Sequence, residues 1–120
     1  MRANVLTAAD LNQFSGSEQW FRHFTGLLYT EGVDYLADKG GAYWLIDAIA
    51  PYQPTARRNQ RLCEFQIWVL TVKDSAAVLE CFDDLPGKVL IRQHIEYTDF
   101  PLPEIKLYFE NGVLMLPSER

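Results

Sequence analysis

Asp47 is the one charged residue in Ala42-Tyr43-Trp44-Leu45-Ile46-Asp47-Ala48-Ile49-Ala50, an otherwise apolar run. A buried, unpaired carboxylate is costly, so Asp47 requires a partner or an exposed edge. In a cleft it can serve as a general base or anchor a ligand. The plainer role is a lone polar stripe, or a hydrogen bond to a Tyr or Arg of another segment. His94 is the second candidate, because Arg92, His94, Glu96 and Thr98 alternate along one strand face and Tyr108 follows on the next strand. An imidazole beside a phenol and a carboxylate can pass protons; the same ladder is also an ordinary solvated sheet face. Arg57, Arg58 and Arg61, with Tyr52, Gln53, Asn59 and Gln60, make the one basic patch. Guanidinium and aromatic groups of this kind hold phosphates or stack on bases, and they equally serve as a solvated connection.

Other chemistry lacks its signature. His23, His94, Cys63 and Cys81 are the right types for zinc, but none stands at ligand spacing from another. No G-x-S-x-G elbow and no glycine-rich phosphate loop is present, so we read no metal, no cofactor and no catalytic residue.

The elements that carry these candidates are read from a 120-residue chain with 48% hydrophobic and 13% aromatic residues, enough for one core. We expect a single domain over 1–120. The net charge of −5 is unevenly placed. Residues 1–60 carry five Lys/Arg against six Asp/Glu, a net of −1, and residues 61–120 carry six against ten, a net of −4. That acidic second half disfavours nucleic acid and anionic lipid as partners. Cys63 and Cys81 lie in apolar runs and read as reduced, core-facing thiols. The N-terminal residues lack a signal peptide's apolar stretch, and no apolar run nears the ~18 residues of a membrane span. A soluble cytoplasmic protein is expected.

Thr7, Asp10 and the Leu6/Leu11 spacing predict a helix over about 8–14. Residues 18–30 fit neither period; two short strands around Gly26 are favoured, with a helix over 16–23 as the alternative. Thr30, Glu31 and Asp34, closed by Lys39-Gly40-Gly41, predict a helix over 31–39. An apolar, buried helix follows over 42–50, ended by Pro51, and residues 51–60 read as a long polar connection. Residues 62–72, with both faces apolar, read as an interior strand. A helix is expected over 75–82, then a strand over 88–98.

The clearest element is the last hairpin. Asn111-Gly112 suits the two positive-φ positions of a type I′ turn and sets Tyr108 against Met115 and Phe109 against Leu114. Charge pairing selects a register in which Glu96 faces Lys106, His94 faces Tyr108 and Arg92 faces Glu110. The result is a meander of 88–98, 104–110 and 113–117, with Ile95, Leu107, Phe109, Leu114 and Leu116 on the core face. Tyr108, Val113 and Met115 then form an outer face. If 113–117 is an edge strand, that face invites dimerisation or strand addition.

The strings Leu28-Tyr29-Thr30-Glu31-Gly32-Val33, Tyr43-Trp44-Leu45-Ile46-Asp47, Thr98-Asp99-Phe100-Pro101-Leu102 and Asn111-Gly112-Val113-Leu114-Met115-Leu116-Pro117-Ser118 resemble a family of small uncharacterised bacterial proteins, also found on phages and other mobile elements. It is a domain of unknown function. The resemblance spans nearly the whole chain, implies a bacterial or mobile-element origin, and adds no catalytic residue.

The expectation is therefore one α+β domain. Its antiparallel sheet has about four or more strands (62–72, 88–98, 104–110, 113–117), with helices over 8–14, 31–39, 42–50 and 75–82 on one face. Its leading function is a non-enzymatic protein-interaction module with an unknown protein partner, or a homo-oligomer through the C-terminal hairpin. The alternatives are a small-molecule binder or enzyme using Asp47 or His94, and a nucleic-acid accessory factor using the 52–61 loop.

Overall fold

A computed structural model describes residues 6–15 and 19–120. Two layers form, a seven-stranded mixed sheet and helices on one of its faces. The strands are β1 (Trp20–Arg22), β2 (Leu28–Thr30), β3 (Phe65–Lys73), β4 (Ala76–Phe82), β5 (Ile91–Ile95), β6 (Glu104–Glu110) and β7 (Val113–Met115). Their order is β1-β2-β7-β6-β3-β4-β5, antiparallel throughout except for the parallel β2/β7 pair. The helices are α1 (Ala8–Leu11), α2 (Glu31–Lys39), α3 (Tyr43–Ile49) and α4 (Gln53–Ala56), with 3₁₀ turns at Ala50–Tyr52 and Pro117–Glu119.

Local chemistry accounts for several elements. Thr7 and Asp10 exchange hydrogen bonds of 3.0 and 3.2 Å in a capping box at α1, which ends at Leu11 rather than near residue 14. Thr30 caps α2 by accepting from Val33 N–H. Glu119 reinforces that end across the fold: its carboxylate accepts from the Thr30 hydroxyl (2.6 Å) and Gly32 N–H (3.1 Å). A side chain at Gly32 would meet that carboxylate, so glycine permits the approach. Asn111 and Gly112 take φ of 55° and 78°, and the pairs Tyr108/Met115 and Phe109/Leu114 form as expected. The two-strand reading of 18–30 holds for its described part, with Gly26 at φ 100° in the turn; residues 16–18, where the alternative helix would start, lie outside the described residues.

The largest correction concerns residues 75–82, which form β4 and not a helix. Asp74 and Ser75 both adopt positive φ, 53° and 63°, and turn the chain straight back along β3. Ala76 to Glu80 are mostly compatible with a helix, but Ala77, Leu79 and Cys81 bury alternately against the core, and tertiary packing overrides propensity. This extra strand displaces the expected meander. β5, shorter than 88–98, pairs with β4; β6 pairs with β3. Arg92 therefore opposes Glu80, at 2.8 Å, and His94 opposes Val78. Neither the Arg92/Glu110 nor the His94/Tyr108 pairing exists. β7 ends at Met115 and lies between β2 and β6, so it is no edge strand.

β3 is an interior strand, as its two apolar faces require, though it starts at Phe65 and leaves Cys63 exposed in the preceding turn. Residues 51–56 are helical rather than a loop. Pro51 and Pro54 sit in first turns, where a missing N–H costs nothing. This helical run is tied to the sheet by a buried amide pair: Gln53 Nε2 donates to Gln66 Oε1 (3.0 Å), and Gln66 Nε2 to Gln53 Oε1 (2.8 Å). Trp68 Nε1 also donates to Gln66 Oε1 at 2.8 Å, and Tyr52 OH donates to Gln93 on β5 at 2.8 Å.

Removing one member of a buried pair strands the other, whereas removing both together avoids part of that cost. Gln66→Leu is expected to destabilise by about 2–4 kcal/mol, because it orphans Gln53 and the Trp68 indole. In urea unfolding, Gln53→Leu/Gln66→Leu should cost about 1–2 kcal/mol less than the sum of the single changes; strict additivity would show that the amides are not coupled.

Candidate functional site

Asp47 projects from α3 with 62% of its side chain exposed, so the helix is not buried all round. Its Oδ1 lies 2.6 Å from His23 Nε2, on the β1–β2 turn. His23 Nδ1 accepts from Thr25 N–H (3.2 Å) and lies 2.8 Å from Thr25 Oγ1. A backbone N–H can only donate, which places the proton of a neutral His23 on Nε2, facing Asp47. Asp47, His23 and Thr25 thus form a hydrogen-bonded chain. The Phe24 ring, 90% exposed, lies 4.4 Å from the imidazole.

Around this chain, Tyr43 donates to Asp34 at 2.8 Å. Its hydroxyl is pushed up to about 12, by loss of solvation first and by the Asp34 hydrogen bond next. Tyr29 is raised too, through burial and then through the negative charges of Asp34 and Asp47. Beyond Asp47 lies an open groove of about 620 Å³ between α3 and the edge strand β5. Trp44 and Asp47 border one side, Gln93, His94 and Ile95 the other, and Tyr97 and Asp99 its end. The groove joins Asp47 and His94, two candidates that the sequence left unconnected.

Tyr108 is elsewhere. It sits on the helix-free sheet face, three strands from His94 in the order β6-β3-β4-β5, or about 14 Å at ordinary strand spacing. There it packs edge-on against Phe65 at 5.0 Å, and the Arg120 guanidinium lies 4.3 Å over the Phe65 ring. Val113 and Met115 are half-buried on the same face. Arg57, Arg58 and Arg61 are exposed, and Arg61 pairs with Asp83 at 3.0 Å. Glu64, Asp83 and Asp84 border the depression beside Arg61, so its local field is mixed rather than basic. Among the described residues, no group of three or more His, Cys, Asp or Glu could hold a metal ion. No helix among them is long and apolar enough to cross a membrane.

Sequence reasoning missed His23 as Asp47's partner, and with it Thr25, Phe24 and Tyr97. The separation of 24 positions between His23 and Asp47 carries no local periodicity that links them. Pairing of this kind arises from where β1 and α3 meet.

The two thiols differ sharply. Cys63 is exposed, with its S–H donating to the Gln60 carbonyl at 3.2 Å. Cys81 is buried, and burial, with Asp83 adding to it, pushes its thiol up from 9.0 to about 12.

Residues 5–120 match the model of a family described as "Family of unknown function (DUF6876)", and the chain belongs to that family. No curated protein and no solved structure matches.

At pH 8 a thiol reagent should modify Cys63 quickly and Cys81 only on unfolding, so Cys63→Ser should abolish the fast phase. Fast modification of both thiols would contradict the burial of Cys81. A folded value above the unfolded one means that this contribution to stability is complete below pH 9. It is lost as pH rises towards 12, and denaturant midpoints of Cys81→Ala should fall less over that window.

Proposed function

From its place in that family of unknown function, we propose that the chain is a non-enzymatic cytoplasmic protein-interaction module. Its contact surface is the helix-free sheet face around Tyr108, Val113 and Met115, and its first partner is a second copy of the chain. One observation supports this reading: among the described residues no helix lies on this face, and its apolar cluster, itself at most 9% exposed, is bordered by the half-buried side chains of Tyr108, Val113 and Met115. Ile67, Val69 and Phe82 form the cluster, with Phe65, Val89 and Tyr108 packed against it. Following the registers outward from Phe82, Ile67 opposes Phe82, Tyr108 opposes Ile67, and Met115 opposes Tyr108. At the far edge Trp20, opposite Thr30, is 55% exposed. A sheet with one solvated face normally alternates to polar residues there; the apolar row from Phe82 to Met115, separated from Trp20 by Thr30, supports a contact surface.

A second copy suits the charges. The neighbouring row runs Arg22, Leu28, Val113, Glu110 and Phe65 across β1, β2, β7, β6 and β3. A two-fold axis between β2 and β7 sets Arg22 of one copy near Glu110 of the other, which also pairs with Arg120 of its own chain, while the apolar residues meet between them. Covering each large apolar side chain contributes about 1–2 kcal/mol to association.

The hydrogen-bonded chain from Asp47 to Thr25 supports a second reading, a small-molecule binder or enzyme with Asp47 at its centre. Asp47→Asn should then abolish ligand binding while leaving self-association unchanged.

Sedimentation velocity across a dilution series tests the leading reading. Dimers are expected, with Tyr108→Ser/Met115→Ser weakening association at least about tenfold. Trp20→Ser serves as a second variant, since its exposed ring contributes little to the fold; thermal unfolding checks that both remain folded. A strictly monomeric wild-type chain, or unchanged association in both folded variants, would refute the assignment of this face.

A further inference from the structure

The groove between α3 and β5 shares no lining residue with the contact face proposed above, although Asp47 on its rim bonds His23 just beyond β1. We infer that it binds an extended peptide segment carrying a Lys or Arg, which adds as an eighth strand along β5 with its basic side chain between Asp47 and Trp44.

The geometry supplies three separate requirements for such a ligand. First, β5 ends the sheet order, so among the described residues no strand neighbours its outer row of N–H and C=O groups. Its five residues, Ile91–Ile95, span about 17 Å, which matches five residues of an added strand. Second, residues of α3 and β5 line an open trough of about 620 Å³. Side chains alternating along an added strand would point one way into that trough and the other way towards solvent. The trough is held open by the fold: Tyr52 OH bonds Gln93 of β5 at 2.8 Å, and the Gln53/Gln66 pair fixes the same helical run to β3.

Third, the groove has the charge and the ring faces that a cationic side chain requires. Asp47 and Asp99 both border it and are exposed, and among the described residues no Lys or Arg lines it. Asp47 is oriented through Oδ1 by His23, so the carboxylate is already positioned while most of its side chain stays accessible. Trp44 and Tyr97, the latter 72% exposed, offer aromatic faces over which an ammonium or guanidinium can sit. An acidic segment would meet two carboxylates, and a folded surface would not reach the recessed strand edge.

The test uses the full ¹⁵N-labelled chain and an acetylated, amidated pentapeptide alternating valine and lysine. Two control peptides carry glutamate for lysine, or N-methyl groups on alternate backbone nitrogens. The expected result is amide shifts over Ile91–Ile95 and Trp44–Ala48 with the lysine peptide. Both controls should fail to produce them, and Asp47→Asn and Asp99→Asn should each weaken binding about threefold to tenfold. Equal binding of the N-methylated peptide would overturn strand addition, and equal binding of the glutamate peptide would overturn the basic class. No shift in this region with any peptide would overturn the site. Concentration-dependent β5 shifts without peptide would assign the edge to a second copy instead. None of these outcomes depends on Tyr108 or Met115, so this inference and the contact-face reading stand or fall separately.

Discussion

The seat of the helical layer on the middle of the sheet rests on one buried amide pair. Gln53 and Gln66 satisfy each other, Gln66 also accepts from the Trp68 indole, and no buried side-chain polar atom among the described residues lacks a partner. Such a pair is directional in a way that apolar contacts are not. It sets how far along β3 the run from α3 to α4 sits, and Tyr52 repeats the constraint on β5. Two consequences follow from that placement. α3 and β5 together line the groove, and among the described residues the opposite face of the sheet receives no helix.

A two-layer fold has to do something with its second sheet face. Here the β4–β5 end is treated as a solvated surface, with Glu80 and Arg92 paired across strands and His94 exposed. An apolar row crosses the same face from Phe82 at the end of β4 through Ile67 on β3 and Tyr108 on β6 to Met115 on β7. Arg120 covers Phe65 partly and ties itself to Glu110, at 3.2 Å. The face is thus divided, polar around Glu80, Arg92 and His94 and apolar from Phe82 to Met115.

Elements with strong local chemistry were legible from the chain. Asn111-Gly112 specifies its turn, Thr30 and Lys39-Gly40 bracket α2, and Cys63 to Val72 announced an interior strand in all but its first residues. β4 was not legible, because Ala-Ala-Val-Leu-Glu fits a helix as readily as a strand and the Asp74-Ser75 turn pays a positive-φ cost that few residue pairs accept. That single misreading moved β5 and β6 and created a false His94/Tyr108 cluster. Charge pairing failed as a register test because Arg92 and Glu110 each found another partner, Glu80 and Arg120. Asp47, read as a charge needing a partner or an exposed edge, has both, with 62% of its side chain exposed. Its partner His23 was invisible, since a contact across 24 residues is set by packing and not by spacing.

Hydroxyl-radical footprinting of the full chain across a dilution series tests the central claim, that the helix-free apolar face is the contact surface. The account predicts that Trp20, Tyr108 and Met115 become protected together as concentration rises, while Tyr97, at the far edge, keeps its oxidation rate. Protection centred on Tyr97, or constant rates at all three face residues, would contradict it.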